Sequence, residues 1–101
     1  MALTKLRLSR LLDTYNRLLT DKQRDALTMY CDCDCSLGEI AEDKGISRQG
    51  VRDAIVKGEA ALIRYEEALG LCALKSDLLV ALQADDVAKL KDILLKFVNK
   101  E

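Results

Sequence analysis

Leu37-Gly38-Glu39-Ile40-Ala41-Glu42-Asp43-Lys44-Gly45-Ile46-Ser47-Arg48-Gln49-Gly50-Val51-Arg52-Asp53-Ala54-Ile55 is the stretch whose reading decides the fold. Ser36 followed three residues later by Glu39 is a capping box, in which side chain and backbone satisfy each other's first-turn donors, so a helix starts at Leu37. Gly45 can take the left-handed conformation that closes it, and Ser47 caps the next helix. A helix-turn-helix needs a small residue where its helices meet, a glycine at the turn, an apolar residue after it and apolar anchors on the second helix. Ala41, Gly45, Ile46, Val51 and Ile55 fill those five roles in one register, which places the motif within residues 36 to 57.

In that register Arg48, Gln49, Arg52 and Asp53 project from the first two turns of the second helix, away from Val51 and Ile55. Arginine can bond guanine through two parallel hydrogen bonds and glutamine can do the same with adenine. The N–H groups behind Ser47 suit a phosphate, and Lys44 and Lys57 flank as phosphate contacts. Two readings stay open here. The same residues also suit a solvated helix whose partner is a protein.

Outward from the motif the pattern remains helical, with leucine dominant and no alternation of the kind strands show. Leu8, Leu11, Leu12, Tyr15, Leu18 and Leu19 form one stripe, predicting a helix over about 5 to 19. Thr20 with Gln23 is a second capping box, opening a helix whose core face is Ala26, Leu27, Tyr30 and Cys31. The helix carrying Val51 runs on through Ala54, Ile55, Leu62, Ile63 and Leu69 to Gly70, with Gly50 and Gly58 as weak points, each costing about 1 kcal/mol against alanine. Two further leucine-rich helices are expected at about 72 to 83 and 86 to 99, with Asp85 as the second one's N-cap. The fold class is therefore all-α, a small helical domain spanning 1 to 101 with a C-terminal helical extension over 71 to 101.

Composition limits the function. The 101 residues carry 16 basic and 17 acidic side chains, a formal charge of -1, with no histidine, proline or tryptophan. That length suits one domain. The charge is uneven: residues 1 to 20 are +3, 36 to 57 are neutral and the stretches on either side of that motif are each -2. Nucleic-acid affinity is therefore expected to be modest, because phosphate neutralisation dominates it. Without imidazole the commonest general base and zinc ligand is missing. No paired catalytic constellation appears, and the expectation is a protein that is not an enzyme and needs no cofactor. No apolar run approaches the roughly 20 residues that span a bilayer, and none at the N-terminus has the character of a secretory signal. A cytoplasmic protein without a membrane partner is expected.

Cys31, Cys33 and Cys35 alternate with Asp32 and Asp34, and Cys72 could add a fourth sulfur. On a continuing helix residues two apart point roughly 200° from one another, and zinc sites prefer ligands two to four residues apart. Reduced thiols at half-buried positions, with no metal, are expected.

The run from Leu19 through Tyr65, including Leu-Thr-Asp-Lys-Gln at 19 to 23, Tyr30, Ser-Leu-Gly-Glu-Ile-Ala-Glu at 36 to 42, Gly-Ile-Ser-Arg-Gln-Gly-Val at 45 to 51, Asp53 and Glu59, resembles the YlxM family. Those small bacterial proteins carry a helix-turn-helix similar to region four of sigma factors. The resemblance implies a regulatory protein of the signal recognition particle pathway, whose partner is DNA, the particle RNA or its GTPase. Gly50 and Arg52 depart from the pattern, standing where alanine and an aromatic residue are expected. An alternative is a helical adaptor or oligomerisation module that binds a protein with no nucleic-acid role. Leu62, Leu69, Leu74, Leu78, Leu79, Leu82, Leu90, Leu94 and Leu95 exceed what short helices bury alone, which predicts a homodimer through helices C-terminal to the motif.

Overall fold

A computed structural model describes residues 2 to 99. Among the described residues the regular elements are all helical: α1 Lys5–Tyr15, a 3₁₀ turn Asn16–Leu18, α2 Asp21–Cys31, α3 Leu37–Lys44, α4 Arg48–Leu69, α5 Leu71–Gln83 and α6 Val87–Asn99. The chain divides after Leu69 into two compact units. In the first, α4 packs against α1, α2 and α3. Its core is formed by Leu8, Leu11, Leu12 and Tyr15 of α1, Leu27 of α2, Ile40 of α3, and Val51, Ile55 and Leu62 of α4, all buried. The α1 and α4 sets repeat at helical spacing, so the amphipathic stripes in the sequence are surfaces that meet.

Both capping boxes form. Gln23 N–H donates to Thr20 Oγ1 at 3.2 Å and Thr20 N–H to Gln23 Oε1 at 3.3 Å. At α3, Glu39 N–H donates to Ser36 Oγ at 3.1 Å and Ser36 N–H to Glu39 Oε1 at 3.0 Å. The Ser36 backbone N–H, with its hydroxyl, holds the Glu39 carboxyl below its ordinary pKa.

The first helix ends earlier than its apolar stripe suggests. The α-helix stops at Tyr15, a 3₁₀ turn follows, and Leu19 is extended at φ -88° and ψ 157°. The cause lies in α2, where Arg24 donates to the carbonyls of Asn16 at 3.0 Å and Leu19 at 3.2 Å. Those acceptors are thereby satisfied without further helix.

One other expectation is corrected. Asp86, not Asp85, caps α6, accepting from Lys89 N–H at 3.0 Å. Asp85 instead adopts the left-handed conformation at φ 53° while its N–H and that of Asp86 donate back to Leu82 and Ala81 carbonyls. Aspartate tolerates this backbone better than most residues, and the reversal moves the cap one position on. The cysteine run leads from the end of α2 towards α3, ahead of the Ser36 capping box. α2 stops at Cys31, Asp34 sits at φ 53°, and Cys33 and Cys35 lie in the turn before Ser36.

Gly58 has a role opposite to a weak point. It is buried where α2 crosses α4, and a Cβ there would fall 2.6 Å from Leu27 Cδ1 and 3.4 Å from Gln23 Cβ. The missing side chain lets the helices approach, which offsets its propensity cost.

Glu59 lies on the same buried face of α4. It accepts from the N–H groups of Ala2 at 2.8 Å and Leu3 at 3.2 Å, tying the chain's start to that helix. Its position four residues after Ile55 and eight after Val51 places it on the core stripe, a signal the sequence does contain.

Candidate nucleic-acid interface

The turn between α3 and α4 takes the geometry its residues require. Gly45 is left-handed at φ 66°, its N–H and that of Ile46 both directed to the Ala41 carbonyl. An alanine at this position would pay for a backbone that L-residues avoid by roughly 1 to 2 kcal/mol. Gly45→Ala is accordingly expected to lower the chemical-denaturation stability by that amount, while a Gly45→Asn variant loses less. Ser47 Oγ accepts from Gly50 N–H at 3.0 Å, capping α4.

Ala41, Val51 and Ile55 are buried at the junction, as the motif demands. Ile46 is less so. It keeps 37% of its surface exposed, and its side chain lies beside Gly50, where a Cβ would sit 3.7 Å from Ile46 Cδ1. Ile46 therefore covers the first turn of α4 from outside.

The six polar residues that sequence pattern assigned to nucleic-acid contact are all exposed, but they are not equally free. Lys44 Nζ forms an ion pair with Asp25 of α2 at 3.1 Å. Gln49 Nε2 donates to Asp53 Oδ1 at 3.0 Å, one helical turn along α4. The Ser47 hydroxyl is occupied as a cap. Arg48 folds back over the start of α3, its guanidinium so close that a Cβ on Gly38 would lie 2.9 Å from one of its nitrogens. Arg52 and Lys57 have neither ion pair nor hydrogen bond to other described residues. The available cations of this face are thus Arg48, Arg52 and Lys57. Asp53 stands among them, and Glu42 and Asp43 are exposed on α3.

Gly38 is the residue that the motif alone does not reveal. Its lack of a side chain makes room for Arg48, a pairing visible only once α3 and α4 are placed together.

Elsewhere the basic start of the chain is partly neutralised. Lys5 Nζ pairs with Asp34 at 2.7 Å and stands 4.6 Å from the Tyr30 ring centroid. The hydrogen bond between them raises the Lys5 pKa and lowers that of Asp34. Ser9 Oγ donates to Asp32 at 2.8 Å, so both aspartates of the cysteine turn are engaged by α1. The four thiols are unbridged, and no group of three or more cysteine, aspartate or glutamate side chains among the described residues is arranged to hold a metal ion. Burial, with Asp32 beside it, pushes the Cys31 thiol up to about 11, which keeps it protonated and a poor nucleophile.

With this geometry in place, comparison with known proteins is informative. A family model described as "Putative helix-turn-helix protein, YlxM / p13 like", UPF0122, matches residues 3–93. The chain belongs to the UPF0122 family. Its relatives include a UPF0122 protein of Acetivibrio thermocellus, 57% identical over 61 residues that make up 60% of this chain and 52% of the relative. Another, from Exiguobacterium sibiricum, is 51% identical over 67 residues, covering 66% and 63%. A third, from Clostridium kluyveri, is 46% identical over 74 residues, covering 73% and 67%. The matched part spans about half to two thirds of these relatives' length. The family match extends well beyond the Leu19 to Tyr65 run and includes α5. No helix among the described residues of this UPF0122 chain is long and apolar enough to cross a membrane.

Proposed function

We propose that this UPF0122 protein is a non-enzymatic, cytoplasmic helix-turn-helix regulator that binds nucleic acid through the exposed face of α4 formed by Arg48, Gln49, Arg52 and Lys57. The observation that carries the reading is the α3–Gly45–α4 junction. It buries Val51 and Ile55 while leaving that polar face open at a helix N-terminus, where helix-turn-helix proteins meet base edges and phosphates. Lys44 and Ser47 support the face by bonding to Asp25 and to the Gly50 N–H, and can contact a phosphate only at its edge. The resemblance to YlxM proteins points to the signal recognition particle pathway, with the particle RNA a natural ligand beside DNA and the particle's GTPase a natural protein partner. Helix-turn-helix proteins commonly offer two copies of such a face to a two-fold site, and this chain is read in the same way.

Three available cations set the expected strength. With about 0.9 counterions released per phosphate neutralised on duplex DNA, log K should fall with log salt at a slope of about -2 to -3. Fluorescence anisotropy with a labelled DNA duplex and with the particle RNA, across a salt series and beside a pull-down of the GTPase, tests the reading. Binding to either nucleic acid with that slope supports it. Silence from both nucleic acids, with the GTPase captured, would replace it by the protein-adaptor reading.

A further inference from the structure

The second unit is a helical hairpin with little interior of its own. α5 and α6 pack against each other across the turn Ala84-Asp85-Asp86. On them only Cys72 and Ala81 are buried, with Leu74, Leu78, Leu90 and Ile93 half-buried. Nine large apolar side chains between residues 71 and 98 remain exposed. So thin a core cannot offset the conformational entropy of ordering two helices, at roughly 1 to 2 kcal/mol per residue for the backbone alone.

The exposed residues are ordered, not scattered. On α5, Leu71, Leu78 and Leu82 follow one another at steps of seven and four, and with Leu74, Lys75 and Leu79 they line an open recess of about 310 Å³. On α6, Val87, Leu94 and Val98 repeat the same steps of seven and four and are all exposed. A seven-and-four step is the spacing of a helix-helix seam. Each helix therefore keeps one largely apolar stripe beyond what the hairpin uses, bordered by Lys75 on α5 and Lys91 on α6, while Lys89 and Lys96 occupy the opposite side of α6.

We infer that these stripes are covered by the same hairpin of a second copy of this chain, the two hairpins closing a four-helix bundle. The area fits. Val80 points to the other side of α5, roughly 200° from its i±2 neighbours Leu78 and Leu82. Leu95 and Phe97 lie to either side of the α6 stripe and only flank it, and the six exposed side chains on the two stripes, Leu71, Leu79, Leu82, Val87, Leu94 and Val98, offer on the order of 600 Å² per partner, the lower end of what a specific interface buries. The surface is dominated by leucine and valine, the composition of a homodimer core rather than of a polar, transient contact. Two identical apolar stripes also meet the self-complementarity that a two-fold interface needs.

Sedimentation equilibrium on the full chain, from about 5 to 200 µM and without nucleic acid, tests this. The wild type is expected at twice its 11.3 kDa mass. Leu94→Glu with Val98→Glu is expected at the single-chain mass throughout, and the milder Leu94→Ala with Val98→Ala is expected to raise the dimer Kd at least tenfold. Val80→Glu is expected to remain a dimer. A wild-type protein that is monomeric over the whole range would overturn the inference, as would Val80→Glu dissociating as fully as the Leu94/Val98 pair. Either outcome leaves the nucleic-acid contact of a single α4 face standing, and a monomer removes only the two-copy arrangement of that face.

Discussion

Replacing Gly58 with valine is expected to lower the unfolding free energy of the first unit by about 3 kcal/mol, on the order of 15 °C in Tm for a unit of this size. A Cβ at position 58 would already lie 2.6 Å from Leu27 Cδ1. Leu27 is wholly enclosed. Valine adds two methyl groups beyond that Cβ, so α2 and α4 must separate. The few tenths of a kcal/mol regained in helix propensity do not compensate. Urea denaturation followed by circular dichroism measures the loss. Leu27→Ala alone should cost about 2 to 5 kcal/mol through the cavity it leaves. Combined with Gly58→Ala it should cost less than the two separately, because the new Cβ enters the vacated space. A Gly58→Val protein as stable as the wild type would mean that the two helices do not approach as described.

The second large effect concerns binding. Arg48→Ala with Arg52→Ala is expected to weaken nucleic-acid affinity by about 2 to 4 kcal/mol, thirtyfold to a thousandfold, if each guanidinium makes one base-edge or phosphate contact. The slope of log K against log salt should flatten by nearly two, leaving about one. Stability should hardly change, since both side chains are exposed and neither forms an ion pair with another described residue. Arg64→Ala, exposed further along α4, serves as the control and should alter affinity less than threefold. Equal losses from Arg64→Ala and from the Arg48/Arg52 pair would indicate diffuse charge attraction without a defined face.

The features legible in the sequence are those whose cause is local. Thr20 with Gln23 and Ser36 with Glu39 bond within one helical turn. Gly45 needs only its own backbone freedom, and Ser47 reaches only to Gly50. The apolar stripes of α1 and α4 likewise announce their burial because spacing fixes which side chains share a face. What remained hidden depends on partners distant in sequence. The end of α1 is decided by Arg24, and the value of Gly58 by Leu27 across the α2–α4 contact. At the interface the same rule holds. Residue type marked Lys44 and Gln49 as ligands for phosphate and adenine, but Asp25 and Asp53 compete for them once the helices are placed. Arg52 and Lys57 have no such competitor among the described residues. Asp85 lost its capping role for a related reason, since the reversal between α5 and α6 uses its left-handed backbone and passes the cap to Asp86.

The most direct test of the helix-turn-helix reading is to titrate the ¹⁵N-labelled protein with a DNA duplex and with the particle RNA while following its backbone amide resonances. The account predicts shifts concentrated on residues 47 to 57, the first turns of α4, with smaller ones at Gly38 as Arg48 leaves it. Saturating shifts confined to other helices, with residues 47 to 57 unmoved, would contradict it.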